Sequence, residues 1–451
     1  MSSNPIPNGR QERVTGWGRY PIVETRLVQP ASDAELSVAT RSDGLVARGN
    51  GRGYGDCAVG KDASVQTLAL DRFESFDPET GIVVAQSGVL LKTIIDVFLP
   101  RGWFPYVTPG TKFVSLGGMA AADVHGKNHH VDGTIRRWIE WFEIVCADGQ
   151  IRRCSRTENN ELFEATIGGM GLTGVISRIA VRLRRVQSAY IQQQTFVAPN
   201  LAAAMELFDR HESATYSVAW IDCLAVGEAM GRSIVMLGEH ATITDLPVDL
   251  RDDPFDFPLR KALGVPFAPP ISPLNRFSIQ AFNSLYYAAQ KRKIGQSLAD
   301  YDSYFYPLDS IHDWNRIYGR RGFVQHQCVL PEERSREGLL ELLQFISRHT
   351  QGSFLAVLKK FGKEEGPWSF PMAGYSLALD FPVNYNIESA YAALNEIVLR
   401  HAGRLYLAKD ALMGRDFAHD SDHRLANFKM FREQHGMKQK FASVLSERID
   451  L

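Results

Sequence analysis

Apolar positions along the chain switch repeatedly between the period of a strand and that of a helix, in short segments cut by glycine and proline. Asp33 to Thr40 predicts a short helix, Leu45-Val46-Ala47 and Val65 to Leu68 predict strands, and Gly81 to Gly88 predicts a strand bounded by glycines. Val89 to Phe98 has apolar residues at helical spacing and stops at Leu99-Pro100-Arg101-Gly102, where proline and glycine close a helix. Trp138 to Ala147, the pair Asp148-Gly149 and Gln150 to Cys154 read as a hairpin, because Asp-Gly takes left-handed turn positions readily. Ile176 to Val186 alternates apolar residues with arginines and predicts a half-buried strand with the arginines towards solvent.

Beyond about residue 190 the texture changes. Leu201 to His211, Leu339 to His349 and Glu388 to His401 predict amphipathic helices, and Ser353 to Gly362 and Gly403 to Asp410 predict strands. Six of the 21 prolines fall between Pro254 and Pro273, which excludes regular structure there. The pattern gives an α+β class, a boundary near residue 190, and a final stretch of about 45 residues that packs back on the first domain.

Composition narrows the function. The 451 residues hold 50 Lys plus Arg against 51 Asp plus Glu, a formal charge of −1, with no block of one sign; binding of nucleic acid through bulk charge is excluded. Five scattered cysteines without a C-x-x-C pair fit reduced thiols, not a disulfide framework or zinc ribbon. The first residues lack the apolar core of a signal peptide, and no stretch is apolar enough to span a bilayer, so a cytoplasmic or peripheral membrane location is expected.

Arg48-Gly49-Asn50-Gly51-Arg52-Gly53-Tyr54-Gly55-Asp56 has a glycine at every second position, which strips side chains from one stretch of backbone so that amides approach an anion such as a pyrophosphate; a plain flexible loop is the competing reading. A second run, Pro109 to His130, is small from Gly117 to Ala122, so a flat ligand lies against backbone, and ends in His125, Lys127, His129 and His130. A metal site of these histidines lacks a carboxylate at ligand spacing, and flavin or nucleotide contact fits better. Gly169 to Gly174 matches G-x-G-x-x-G but lies between a helix and a strand, the reverse of the Rossmann order, which favours a close turn against a cofactor. Lys409 ends an apolar strand, a position that read alone favours solvation over a cleft. Gln325 and Gln327 share a strand face, either to bind a polyhydroxy or phosphate ligand or as satisfied core amides. The proline-rich segment, with Phe255, Phe257, Phe267, Leu274 and Phe277 near Arg260, Lys261, Arg276, Lys291, Arg292 and Lys293, reads as a lipid-facing lid or an ordinary surface loop.

Together RGNGRGYGD, PGTKFVSLGGMAAADVHGKNHH, GGMGLTGVI, LDSIHDWNRIYG with FVQHQ, and GRLYLAKD resemble the decaprenylphosphoryl-ribose 2-oxidases, within the wider vanillyl-alcohol-oxidase flavoproteins, over nearly the whole chain. The resemblance implies a two-domain PCMH-type fold: residues 1–189 bind FAD, residues 190–403 build a substrate domain on an antiparallel sheet, and residues 404–451 return to the FAD-binding domain. For the cofactor it implies Arg48, Gly49, Asn50, Gly51, Arg52, Gly53, Tyr54, Gly55 and Asp56 in the first loop. The second run contributes Gly110, Thr111, Ser115, Gly117, Gly118, Ala121, Ala122, His125, Gly126 and Asn128, and Gly171, Thr173, Gly174, Ile176, Tyr406 and Lys409 complete the set. Many relatives attach flavin to a histidine in the first loop; Tyr54 stands there, which implies non-covalent FAD.

Lys127, Gln325, Gln327, Lys359 and Ser376 would face a sugar-phosphate, with Trp220, Tyr304 and Phe305 near it, and Lys409, His125 and Tyr54 are the implied catalytic residues. The implied reaction takes the C2 hydrogen of a polyprenylphosphoryl-ribose as hydride to flavin N5 while Lys409 polarises or deprotonates the hydroxyl. A separate NAD(P)H-dependent short-chain reductase would complete epimerisation to arabinose for cell-wall arabinan, oxygen or a quinone would reoxidise the flavin, and the prenyl tail implies peripheral membrane contact. Where relatives carry a cysteine that captures nitroaromatic inhibitors, this chain has Ala378, which leaves the chemistry intact. The rivals are a soluble sugar, alditol or sugar-lactone oxidase of the same superfamily, and a flavin- or sugar-binding protein without turnover.

Overall fold

A computed structural model of the chain describes residues 9–258, 263–270, 272–363, 366–384 and 386–451. Helices and strands intermix as the pattern predicts, and three sheets carry the fold. In the first, Arg10–Val14, Val23–Val28, Ala63–Gln66 and Leu45–Arg48 lie side by side, the last three parallel. Parallel neighbours need a crossover. Between Leu45–Arg48 and Ala63–Gln66 that crossover is the glycine-rich run, which is therefore held at the end of a sheet.

The second sheet is antiparallel, ordered Phe73–Asp77, Ile82–Gln86, Val175–Arg185, Ile139–Val145 and Ile151–Ser155, with Trp103–Pro105 also paired to Val175–Arg185. The Asp148-Gly149 hairpin is present, with Gly149 at φ +77°. The arginines of Val175–Arg185 depart from expectation. Arg178 meets Asp33, Glu74 and Glu143 at 2.5, 3.0 and 2.6 Å, Arg182 meets Glu140 at 2.6 Å, and Arg184 pairs with Asp132. Alternation identified the polar face but not the carboxylates that other elements bring to it.

The third sheet has eight antiparallel strands, in the order Gly295–Asp300, Tyr190–Ala198, Ser233–His240, Tyr216–Ile221, Val357–Phe361, Gly374–Pro382, Phe323–Pro331 and Arg404–Leu405. Its register decides the site. Gln325 pairs with Asp380, Gln327 with Ala378, and Ser376 with both Val329 and Lys359, so these side chains share one face. Tyr375 turns the other way, onto Phe208 and Asp209 of the helix Leu201–Arg210, and the helices Glu332–His349 and Ile387–Arg400 cover the same side.

The C-terminal stretch touches the first sheet: Leu45 bridges Phe441, Gly60 bridges Ser443, and the fully buried Arg432 donates to the Leu172 carbonyl at 3.0 Å. Three expectations change. The helix predicted from Leu339 begins at Glu332; the strand predicted over Gly403 to Asp410 is only Arg404–Leu405, and the Lys409 amide closes a turn onto the Tyr406 carbonyl at 2.9 Å. A helix the pattern did not predict, Arg276–Gln290, follows Pro273, its first amides at Phe277 and Ser278 capped by Asn275 at 3.0 and 3.1 Å. Of the expected lid, Phe255, Phe257 and Leu274 pack against cores, Phe267 and Phe277 are exposed, and Arg260 and Lys261 lie outside the described residues.

Candidate active site

The glycine-rich loop is joined by backbone to the turn that carries Lys409. The Tyr54 amide donates to the Ala408 carbonyl at 3.1 Å, and the Trp17 and Gly18 amides donate to the Gly53 and Tyr54 carbonyls at 2.7 and 3.1 Å. A Cβ on Gly55 would stand 1.6 Å from the Asp410 carbonyl oxygen, so only glycine permits this approach. Lys409 Nζ lies 3.5 Å from the centroid of the Tyr54 ring, a cation–π contact across the junction. Lys409 therefore points inward from a turn, against the solvated strand end expected from pattern alone. Beneath it, Arg448 bridges Asp56 and Asp410 at 2.9 Å each, two carboxylates that are 1% exposed. Tyr391 hydroxyl donates to the same Asp410 at 2.8 Å.

The amides of Asn50, Gly51, Arg52 and Gly53 donate no hydrogen bond to any described residue, while Gly51 sits at φ +62°. A row of free amides on half-buried backbone is what an anionic diphosphate requires, so the loop fits the cofactor. The neighbouring charged side chains make contacts within the protein. Arg48 donates to the Thr15 and Ala58 carbonyls at 2.8 and 3.2 Å, Arg52 lies over the rings of Trp17 and Phe113, and Asp56 faces Arg448, contacts that hold the loop's shape. Asn50 donates to the Phe113 carbonyl at 2.8 Å and ties this loop to the second glycine-rich run.

In that run Ser115 caps the helix Leu116–Ala121, and the Ala122 carbonyl accepts from the Tyr406 hydroxyl at 2.7 Å. Thr111 accepts from the Phe113 amide, Gly110 has open space around it, and a Cβ on Gly117 would meet Ser87 at 2.8 Å. Asn128 is buried, its amide hydrogens taken by the Tyr106 carbonyl and Asp132, both at 2.7 Å, so it shapes the run beside Gly126. The imidazoles of His129 and His130 go to separate partners, the Gly362 amide and the Ala214 carbonyl. Gly171, at φ +76°, rests on Val46 and Ala47 where the first loop begins, Thr173 bonds Thr166, and Gly174 and the buried Ile176 lead into their strand.

His125 joins the run to the sheet face. Gln327 Nε2 donates to His125 Nε2 at 3.1 Å, which places the ring proton on Nδ1, a buried atom without a partner. Burial first, then Lys359, His129 and Lys409, lower His125 well below the usual imidazole range and keep it neutral. Three half-buried lysines surround this region. Burial lowers Lys127 to about 7 with help from Lys359, and lowers Lys359 to about 8. Burial also lowers Lys409, opposed by Asp380 and assisted by Lys359, and burial raises Asp380. Tyr54 is raised well above the usual phenol range by burial, then by Asp380 and Asp309, so it stays protonated.

Lys127 donates to the Tyr304 carbonyl and lies over the Tyr304 and Phe305 rings at 4.2 and 5.7 Å, which brings together three residues expected near the substrate. Gln325 Nε2 donates to Asp380 at 2.6 Å and Ser376 lies 3.5 Å from Gln327, so both glutamines are satisfied and still on the site face. Trp220 is opposite Val357, two residues from Lys359 on one strand face, and it packs on Tyr286 and donates to the Phe354 carbonyl. Sequence reasoning missed Asp380, Tyr318, whose hydroxyl donates to Asp380 at 3.3 Å, and Arg448. The spacing Ser376, Ala378, Asp380 along one strand was the available signal for the first; nothing local marks the others.

Residues 25–155, which hold both glycine-rich segments, match the FAD binding domain family. The chain is 32% identical to the decaprenylphosphoryl-beta-D-ribose oxidase of Mycolicibacterium smegmatis, across 100% of both proteins. It is 25% identical to a xylooligosaccharide oxidase of Thermothelomyces thermophilus over 42% of this chain and 37% of that one. A D-lactate dehydrogenase of Archaeoglobus fulgidus is also 25% identical, over 35% and 38%.

Proposed function

Because the chain belongs to the decaprenylphosphoryl-beta-D-ribose oxidase family, and is an FAD-dependent oxidoreductase with a PCMH-type FAD-binding fold, we propose that it oxidises the ribose 2-hydroxyl of a polyprenylphosphoryl-ribose to the 2-keto sugar. The observation that carries this reading is the group Lys127, Lys359 and Lys409 around a neutral His125. Among the described residues none of the three makes a carboxylate ion pair, and only Lys409 feels a nearby carboxylate, Asp380, so Lys127 and Lys359 are half-buried amines without counter-charge, which call for an anion. The substrate phosphate is that anion. Gln325, Gln327 and Ser376 orient the sugar.

Bound FAD supplies the hydride acceptor. The loop from Arg48 to Asp56 would hold its diphosphate on free amides, and the second run and the turn at Gly171 would enclose the rest. Lys409, with its lowered basicity, takes the proton of the 2-hydroxyl, and the field of Asp380 favours the ammonium so formed. His125 stays neutral and holds its place through Gln327. FAD is held non-covalently, because the residue in the attachment position is a protonated phenol, Tyr54, and a poor nucleophile.

Residues 1–189 with 404–451 are assigned to the FAD-binding domain and residues 190–403 to the substrate domain, a division supported by the Leu45–Phe441 and Gly60–Ser443 bridges, with Arg404–Leu405 still paired to the substrate sheet before the chain returns. An NAD(P)H-dependent reductase then completes conversion to the arabinose epimer used for cell-wall arabinan, and oxygen or a quinone reoxidises the flavin. The enzyme works in the cytoplasm or at the membrane surface; no helix among the described residues is long and apolar enough to cross a bilayer. Anaerobic mixing with a phosphoryl-ribose lipid is expected to bleach the flavin, whereas a free alditol leaves it oxidised. The reverse preference would favour the soluble alditol oxidase reading.

Lys127→Met is expected to raise KM at least tenfold, from loss of a charge-assisted hydrogen bond of roughly 1.5–3 kcal/mol, with the saturated rate within a few-fold of wild type. A lysine lowered from 10.5 to about 7 holds fewer protons folded than unfolded between those values, so its contribution to stability rises with pH across that window. Thermal melts of the FAD-free protein should therefore show the variant at its greatest advantage near neutral pH and losing it in alkaline buffer. An unchanged KM for the phosphorylated substrate would remove Lys127 from the phosphate site.

A further inference from the structure

The helix Arg276–Gln290 lies against the third sheet through Ile279, Asn283 and Tyr287. Asn283 donates to Asp222 at 2.8 Å, Tyr287 donates to the Ala198 carbonyl at 3.4 Å, and Tyr286 packs on Trp220 with ring centroids 4.8 Å apart. The outward face is the reverse of an ordinary surface helix. From Phe277 to Gln290 there is no charged residue, and Phe277 is 82% and Leu285 72% exposed, with Phe282 at 42%. The chain then leaves the helix through Lys291, Arg292 and Lys293, all exposed, and reaches Ile294, also exposed. Leu263 and Phe267, upstream of the helix, add two further exposed apolar side chains.

We propose that this helix docks the protein on a bilayer surface rich in anionic headgroups, with Phe277, Phe282 and Leu285 inserted at the acyl boundary and Lys291, Arg292 and Lys293 against the phosphates. Charge complementarity selects the occupant. A protein partner is met by an apolar face rimmed with mixed polar groups. Here an uncharged apolar face runs into a cluster of one sign, the pattern of a helix that lies in the interface plane. Its 15 residues are too few to span a membrane, so it lies flat. The assignment gives a place to the membrane contact of the proposed function and rests on that reading only for the benefit of docking, namely access to a prenylated substrate from the side of the sheet that carries Trp220.

The test is flotation of the FAD-loaded enzyme with vesicles of phosphatidylglycerol and phosphatidylcholine in equal parts, without substrate, beside vesicles of phosphatidylcholine alone. Wild type should float with the mixed vesicles, less so with the neutral ones, and lose binding as salt screens the cationic cluster. Phe277→Ser with Leu285→Ser, and separately Lys291→Gln with Arg292→Gln and Lys293→Gln, should each weaken flotation about tenfold or more. Both variants should keep normal flavin reduction by a soluble short-prenyl substrate, so a failure of docking and a failure of the oxidation reading appear in different measurements. Wild type that stays in solution, or variants that float equally well, would overturn the assignment. So would a wild type that is dimeric in solution and becomes monomeric on Phe277→Ser with Leu285→Ser, because the face would then belong to a second copy.

Discussion

Lys409→Met is expected to slow flavin reduction by substrate about a thousandfold while leaving FAD bound, since a positioned acid–base group contributes roughly 10²–10⁴ in rate. Retention of FAD follows from geometry. The junction beside Lys409 is made by backbone, the Tyr54 amide on the Ala408 carbonyl and Gly55 against the Asp410 carbonyl, and loss of the ammonium leaves these contacts in place. The loss of rate follows from the position of Nζ, 3.5 Å above the Tyr54 ring and on the side of the sheet that presents Gln325, Gln327 and Asp380. Burial, opposed by Asp380, lowers Lys409 below the usual ammonium range, so the fraction of free amine rises over a pH range below that of an exposed lysine. Wild-type reduction should climb over that range, and the variant should show no such limb. Stopped-flow traces at several pH values decide the matter; near-normal reduction in Lys409→Met would remove the residue from proton transfer.

Arg448→Met should have the largest effect on folding. Its guanidinium is the counter-charge for Asp56 and Asp410, both 1% exposed, and removal of one partner from a buried ion cluster typically costs about 3–5 kcal/mol because the remaining charge is left without compensation. The loss reaches the site from two directions, since Asp56 ends the glycine-rich loop and Asp410 follows Lys409. FAD affinity and melting temperature should fall together, and Arg448→Lys should recover part of both. The pH dependence has a definite sign. Burial already raises Asp56, and without Arg448 it rises further. A carboxyl raised in the folded state binds more protons folded than unfolded, so stability falls as pH rises through that window. The deficit of Arg448→Met should therefore be smaller in mildly acid than in mildly alkaline buffer by urea unfolding, and an equal deficit in both would point to lost packing instead of unpaired charge.

What the sequence disclosed depended on how local the cause was. The hairpin at Asp148-Gly149 and the helix ended by Pro100 and Gly102 are set by neighbouring residues, and both appear where the pattern puts them. The first glycine-rich loop was legible because glycine at alternate positions shows that backbone itself must reach a ligand, whatever the ligand is. Lys409 was illegible from its surroundings. Its inward direction is set by Tyr54 and Ala408, and the first of these lies more than three hundred residues away in the chain. Arg48, Arg52 and Asp56 carry contacts that no local pattern marks: carbonyls, aromatic rings and Arg448 engage them and fix the loop's shape. Asp380 needed the register of Gly374–Pro382 against Phe323–Pro331, which is a property of the sheet and not of either segment.

Anaerobic reduction of the bound flavin by a polyprenylphosphoryl-ribose carrying deuterium at C2 tests the central claim most directly. Slower bleaching than with the unlabelled substrate, with a 2-keto sugar as product, is the result expected if hydride leaves C2 beside Lys409. Equal rates with both substrates, together with an isotope effect when deuterium is placed at another ring carbon, would contradict the account, because the sugar would then sit in the site in a different orientation.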